Sequence, residues 1–150
     1  MSVRYVHCGS NKFRPELVYP ARNHEFLPKP YGCFWGSRLV TDYGWIAWCE
    51  DNDFELDKLN SNFQFTLTPD ANILVIRTLE ELKKLPCISA ADFAIRGFYR
   101  IDFEKLQLEG YDGVEVLIDD FQLYRALYGW DCDSIVIWNP DCVREEADHI

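Results

Sequence analysis

Three groups of residues in this chain have types and spacings suited to chemistry. Glu115 lies in the run Gly113-Val114-Glu115-Val116-Leu117-Ile118. Alternate side chains of a strand face opposite ways, so Val114, Val116 and Ile118 share one face and Glu115 takes the other. With the valine face as the core, Glu115 looks out from a strand end just after a glycine turn. The plainer reading is a solvated carboxylate on an amphipathic strand, since charged side chains are mostly exposed. The second group is His7, followed by Gly9 and Ser10. Glycine there lets a ligand come close to the backbone, although a hydrogen-bonded imidazole at a strand end is the plainer account. The third is aromatic: Tyr31, Phe34, Trp35, Tyr43, Trp45 and Trp48 fall within eighteen positions. Trp45 and Trp48 are three apart and share a face on a helix. One of them anchors the core on the plain reading, and the surplus around Gly32 and Gly36 is enough to line a pocket for a flat ring.

Other chemistries are disfavoured. The six cysteines, at 8, 33, 49, 87, 132 and 142, are irregularly spaced and contain no C-x-x-C pair, so no structural zinc site is expected. They read as free thiols of a reducing compartment. The three histidines, His7, His24 and His149, make no H-E-x-x-H spacing, and no metal is expected. Cys8 and His7 are adjacent on a strand and point to opposite faces, which removes a thiol-protease pair. Walker A, G-x-G-x-x-G and G-x-S-x-G motifs are absent.

The elements that must position these residues follow from pattern. Arg4–Cys8 reads as an opening strand. The stretch with Pro15, Pro20, Pro28 and Pro30 reads as an irregular covering arm. Residues 31–37 are a glycine-punctuated strand or turn, and Thr41 or Asp42 caps a short helix carrying Trp45 and Trp48. Phe63–Leu67 alternates as a half-buried strand, and Ile73–Ile76 is continuous enough for a central one. Thr78 with Glu81 forms a capping box for a helix that Pro86 stops. A helical turn is expected over 102–108, a brief helix or strand over 121–127, and strands over 114–118 and 134–138. The tail from Arg144 is expected to fray. The sum is one α+β domain over 1–150, mostly antiparallel and mixed in detail.

Charge narrows the partners. With 15 Lys and Arg against 25 Asp and Glu the net charge is −10. Residues 1–50 hold six basic and four acidic side chains, or +2, which leaves −12 for the remainder. An acidic protein repels a polyanion, so direct binding to duplex nucleic acid is not expected. An anionic ligand belongs near the first third. No apolar run is long enough for a membrane span and no secretory signal is visible, so a cytoplasmic location is expected.

The order of the motifs resembles the ADP-ribosyltransferase superfamily, in its His-Tyr-Glu-like branch. The first strand ends His7-Cys8-Gly9-Ser10, a segment Gly32-Cys33-Phe34-Trp35-Gly36-Ser37 precedes an aromatic helix, and a late strand reads Gly110-Tyr111-Asp112-Gly113-Val114-Glu115. The closing run from Ser134 to Val143 looks like that fold's last strand. The likeness spans about His7 to Val143; each motif is short, and their order carries it. It implies a split antiparallel or mixed β-sheet with a few short helices, holding NAD as co-substrate in a cleft. It further implies that Glu115 is catalytic, bonding the nicotinamide-ribose 2′-hydroxyl and favouring oxocarbenium character at C1′. His7 would bond a ribose, Gly9 the nicotinamide amide, Phe34 or Trp35 with Trp45 would form the aromatic wall, and Ser37 would be the small polar residue after the second motif. Arg4, Arg14, Arg22, Lys29 and Arg38 are the cations available to the diphosphate.

Two positions depart from the family pattern. Trp35 or Tyr43 stands for the second-motif tyrosine, and Gly113 stands where arginine-modifying members carry Glu or Gln. The activity implied is mono-ADP-ribosyl transfer to a protein with release of nicotinamide, as in small phage or bacterial effectors, including anti-CRISPR ones. The acidic surface would suit a basic, nucleic-acid-binding acceptor protein. The competing reading is an inactive module that binds NAD or ADP-ribose, or that only blocks a partner.

Overall fold

A computed structural model describes residues 2–147. Seven strands form one mixed sheet: β1 Tyr5–Cys8, β2 Phe34–Arg38, β3 Asn62–Leu67, β4 Ile73–Ile76, β5 Gly113–Val116, β6 Ser134–Ile137 and β7 Val143–Glu145. Their order across the sheet is β4-β5-β6-β2-β1-β3-β7. Neighbours are antiparallel except β4 and β5, which run parallel. Five short helices accompany them: α1 Trp45–Asn52, α2 Leu79–Leu82, α3 Ala90–Arg96, α4 Phe103–Leu108 and α5 Phe121–Ala126. The α+β class therefore stands.

Register sorts the side chains onto two faces, because paired residues project the same way. Tyr5 pairs with Arg38 and Phe65, Phe34 with Ile137, Gly36 with Ile135, and Glu115 with Ile135. That face carries an aromatic core of Tyr5, Phe34, Phe63, Phe65, Ile135 and Ile137. Its two outer strands also contribute, through Ile73 and Val143. On the opposite face Val114, Val116, Val136 and Ile76 pack against Leu82, Phe103, Leu106, Leu123 and Trp130 from the helices and loops.

Several local expectations hold because their signals are local. Thr78 Oγ1 accepts from Glu81 N at 3.2 Å and opens α2, and Asp102 and Asp120 cap α4 and α5 in the same manner. Elsewhere tertiary context decides. Ile73–Ile76 is an edge strand, not a central one, and Val75 is 39% exposed. β3 is not half-buried, since Gln64 and Thr66 on its polar side are buried too. Helix α1 starts at Gly44 rather than from Thr41 or Asp42: no side chain of the N-cap residue caps it, and Ser37 Oγ accepts from Trp45 N at 3.2 Å. Helix α3 was not expected from its sequence; Ser89 caps it and Gly97 ends it. The expected fray from Arg144 is only partly met, because Arg144 and Glu145 pair with β3 and Glu146 N donates to Gln64 O. Residues 148–150, and with them His149, lie outside the described part.

No helix among the described residues is long and apolar enough to cross a membrane. All six cysteines are free thiols.

Candidate functional site: a tryptophan cavity beside a basic groove

Helix α1 begins eight residues after Ser37 and turns Trp45 and Trp48 back toward β2. Their rings stack at 5.3 Å and 13°, and Phe54 meets both edge-on. Across from them Trp35 of β2 and Trp130 meet edge to face at 5.0 Å. Both groups line one cavity of about 470 Å³, so four of the chain's five tryptophans surround it. The covering arm supplies another wall through His24, Leu27, Lys29 and Pro30. It is strapped down where Trp130 Nε1 donates to Pro28 O at 3.1 Å.

The cavity's polar groups are few. Asp131, Cys132 and Ser134 line it beside Lys29 and His24. Burial pushes the Cys132 thiol up to about 12, so it is no thiolate nucleophile near neutral pH. His24 Nδ1 accepts from Phe26 N at 2.9 Å and Leu27 N at 3.0 Å, which places the ring proton on Nε2. Asp131 and Lys29 make no hydrogen bond or ion pair among the described residues. A second, more polar cavity of about 380 Å³ adjoins the first and shares Trp48, Asp131 and Cys132 with it.

On the opposite face of the sheet His7 lines a groove of about 420 Å³ with Ser10, Lys12, Arg14, Phe34 and Phe63, and Trp35 borders both spaces. The imidazole stacks on Phe34 at 4.6 Å, and its Nδ1 donates to Trp35 O at 2.6 Å. Nε2 is thereby left as an acceptor. Burial holds its pKa below the ordinary histidine value, opposed by the bond to Trp35.

Glu115 sits elsewhere. It is 1% exposed and lines neither the cavity nor the groove. Both its oxygens accept from Arg38, Oε2 from Nε at 2.8 Å and Oε1 from Nη2 at 2.9 Å, and Tyr5 OH donates to Oε1 at 3.3 Å. The bond to Glu115 raises the Arg38 pKa further above its ordinary value, while burial and then Glu115 raise that of Tyr5. Arg38 is thus committed to a side chain rather than open to a diphosphate.

The expected residues divide accordingly. Trp35 and Trp45 come together at the cavity, whereas His7 comes to the groove on the opposite face of the sheet. Phe34 projects to that same face and is a core residue stacked on His7. Ser37 is buried, donating to Asp133 O at 2.9 Å and accepting from Trp45 N, so it joins β2, β6 and α1. Gly9 has φ +113, a value that favours glycine, and its amide donates to Ser61 O at 2.7 Å. Asp133 is also a structural group: its carboxylate accepts from Ile118 N at 2.6 Å and from the Thr41 hydroxyl.

The sequence did not mark Trp130, Asp131 and His24 as cavity residues, whereas Lys29 is one of the cations it offered to a diphosphate. The only local signal was the turn Gly129-Trp130-Asp131, with Gly129 at φ +96. The arm residues carry no period and reach the cavity only through the tertiary fold.

Comparison with protein-family models, with curated proteins and with solved structures found no match for this chain. Its chemistry is therefore argued from the site.

Proposed function

We propose that the protein binds NAD around Trp35, from the tryptophan cavity on one face of the sheet to the His7 groove on the other, and transfers ADP-ribose to a protein, releasing nicotinamide. The observation that carries the reading is an aromatic cavity bearing one carboxylate, Asp131, and one ammonium, Lys29, with no partner for either among the described residues. NAD presents the complementary set: a flat cationic ring, an anionic diphosphate and a second flat base. Lys29 in the cavity and Lys12 and Arg14 on the groove side suit the phosphates. The His7 Nε2 acceptor suits a ribose hydroxyl.

In this reading the bond between ribose C1′ and the ring nitrogen breaks, and the electron pair leaves with nicotinamide. Positive charge develops on the ribose, where a fixed carboxylate stabilises it. Asp131 is the carboxylate placed to do so. Glu115, held by Arg38 and Tyr5, joins β5 to β2 and β1. The acceptor's nitrogen or oxygen forms the new bond to C1′ and its proton passes to water.

A second reading is favoured by the Glu115–Arg38 pair: a module that binds NAD or ADP-ribose without cleaving it. Nicotinamide release, measured for the native chain, Asp131→Asn and Glu115→Gln, separates them. The transferase reading expects release that drops roughly a hundredfold or more in Asp131→Asn, the usual cost of losing a charge-stabilising group. Glu115→Gln should keep release in whatever fraction remains folded. Binding without release supports the module, and absence of NAD binding overturns both readings.

A further inference from the structure

Resting on the cavity being a dinucleotide site, we infer that it selects a planar organic cation, the pyridinium form of the nicotinamide ring, and rejects the neutral ring by charge. Indole faces are the strongest aromatic partners for a cation. Trp45 and Trp48, stacked on one another, line one side of the cavity, and Trp35 and Trp130, edge to face, line another. Aromatic walls also stack a neutral heterocycle, so the group that adds most to the preference for charge is Asp131. Its carboxylate meets the cavity with no cation within ion-pairing distance among the described residues. Glu115 shows what neutralisation of a carboxylate looks like in this fold.

Lys29 sets the ligand's direction. It rides on the arm beside Gly129, where a Cβ would meet its Cε at 3.1 Å. Asp131 instead borders the second cavity, which Lys29 does not reach. A ligand carrying both charges lies with its cationic ring toward Asp131 and Trp48 and its phosphate toward Lys29. Cleavage then weakens the cavity's own hold on the leaving group. The bonding pair stays on the ring nitrogen, the ring becomes neutral, and the positive charge passes to the ribose carbon.

Calorimetric titration with 1-methylnicotinamide and with nicotinamide tests this, because the two share a ring and differ in charge. The native protein should bind the cation at least about tenfold more tightly, the order expected of a partly desolvated cation–π site with a carboxylate. Asp131→Asn should cut that ratio several-fold, to what the tryptophan faces alone supply, while nicotinamide itself binds as before. Lys29→Met should weaken nicotinamide mononucleotide without weakening 1-methylnicotinamide. Equal binding of the two rings by the native protein, or a ratio unchanged in Asp131→Asn, overturns the inference. NAD titrated alongside distinguishes the failures: NAD binding with no charge preference leaves the dinucleotide reading intact, and no binding of any probe removes both.

Discussion

Glu115 and Asp131 are carboxylates a short way apart in sequence, treated oppositely by the fold. Glu115 projects into the aromatic face of the sheet, where water is excluded, and the fold answers with a two-pronged guanidinium and a phenol. Asp131 stands at a cavity wall, partly exposed, with no such partners among the described residues. A buried carboxylate must be neutralised locally because its desolvation costs several kcal/mol, about the size of a whole protein's margin of stability. A half-exposed one keeps water until a ligand replaces it. The difference separates a group whose loss damages the fold from one whose loss damages binding.

The largest effect should come from breaking that buried pair on one side. Glu115→Leu leaves Arg38 without its counter-ion, which in a fully buried site costs about 3–5 kcal/mol. The Arg38 side chain keeps 24% exposure, so water relieves part of this and we expect about 2–4 kcal/mol from urea unfolding. Combining Glu115→Leu with Arg38→Met should return stability to within about 1 kcal/mol of the native chain. A double variant as unstable as the single one would mean that packing, not charge, sets the cost.

This contrast was only half legible in the sequence. Alternation correctly put Val114 and Val116 on one face and Glu115 on the other, because period two is a property of any strand. What the second face meets is a property of the sheet. Arg38 reaches Glu115 from β2, with β6 between the two strands, and no local pattern announces that. Thr78 could be read as a cap because its partner, Glu81, is three residues away. Asp131 could not be read as a cavity group, because the walls opposite it come from α1, β2 and the arm. The central placement expected for Ile73–Ile76 failed for a related reason: a parallel edge strand covered on one side by helices is nearly as apolar as a central one.

A smaller effect on the Glu115 side should follow from Gly113→Ala. A Cβ at Gly113 would sit 2.3 Å from the backbone oxygen of Val136, and a paired strand has little freedom to give way. Overpacking of this kind costs about 1–3 kcal/mol, and backbone rather than side chain as the obstacle favours the upper half. Thermal unfolding checks it; an unchanged midpoint would show that β5 and β6 separate more easily than their pairing suggests.

His7 adds a pH dependence. Its folded pKa lies below the ordinary value of 6.5, chiefly through burial. Between those two values the unfolded chain binds a proton that the folded chain does not. Stability from this group is therefore complete above about pH 6.5 and falls as pH drops below it toward the folded pKa. His7→Asn keeps an N–H donor for Trp35 O but cannot titrate, so its stability should decline less over that interval. Parallel curves for the two proteins would assign the acid sensitivity to other groups.

Asp131→Asn should change stability least. The substitution is nearly isosteric and removes a charge that has no partner among the described residues, so urea unfolding should move by no more than about 0.5 kcal/mol, as for ordinary surface changes. The same variant is expected to lose nicotinamide release and most of the preference for a cationic ring. A large binding defect without a stability defect is the signature of a carboxylate kept for a ligand. A stability loss comparable to that of Glu115→Leu would place Asp131 in the same structural role and erase the distinction between the two sides of the sheet.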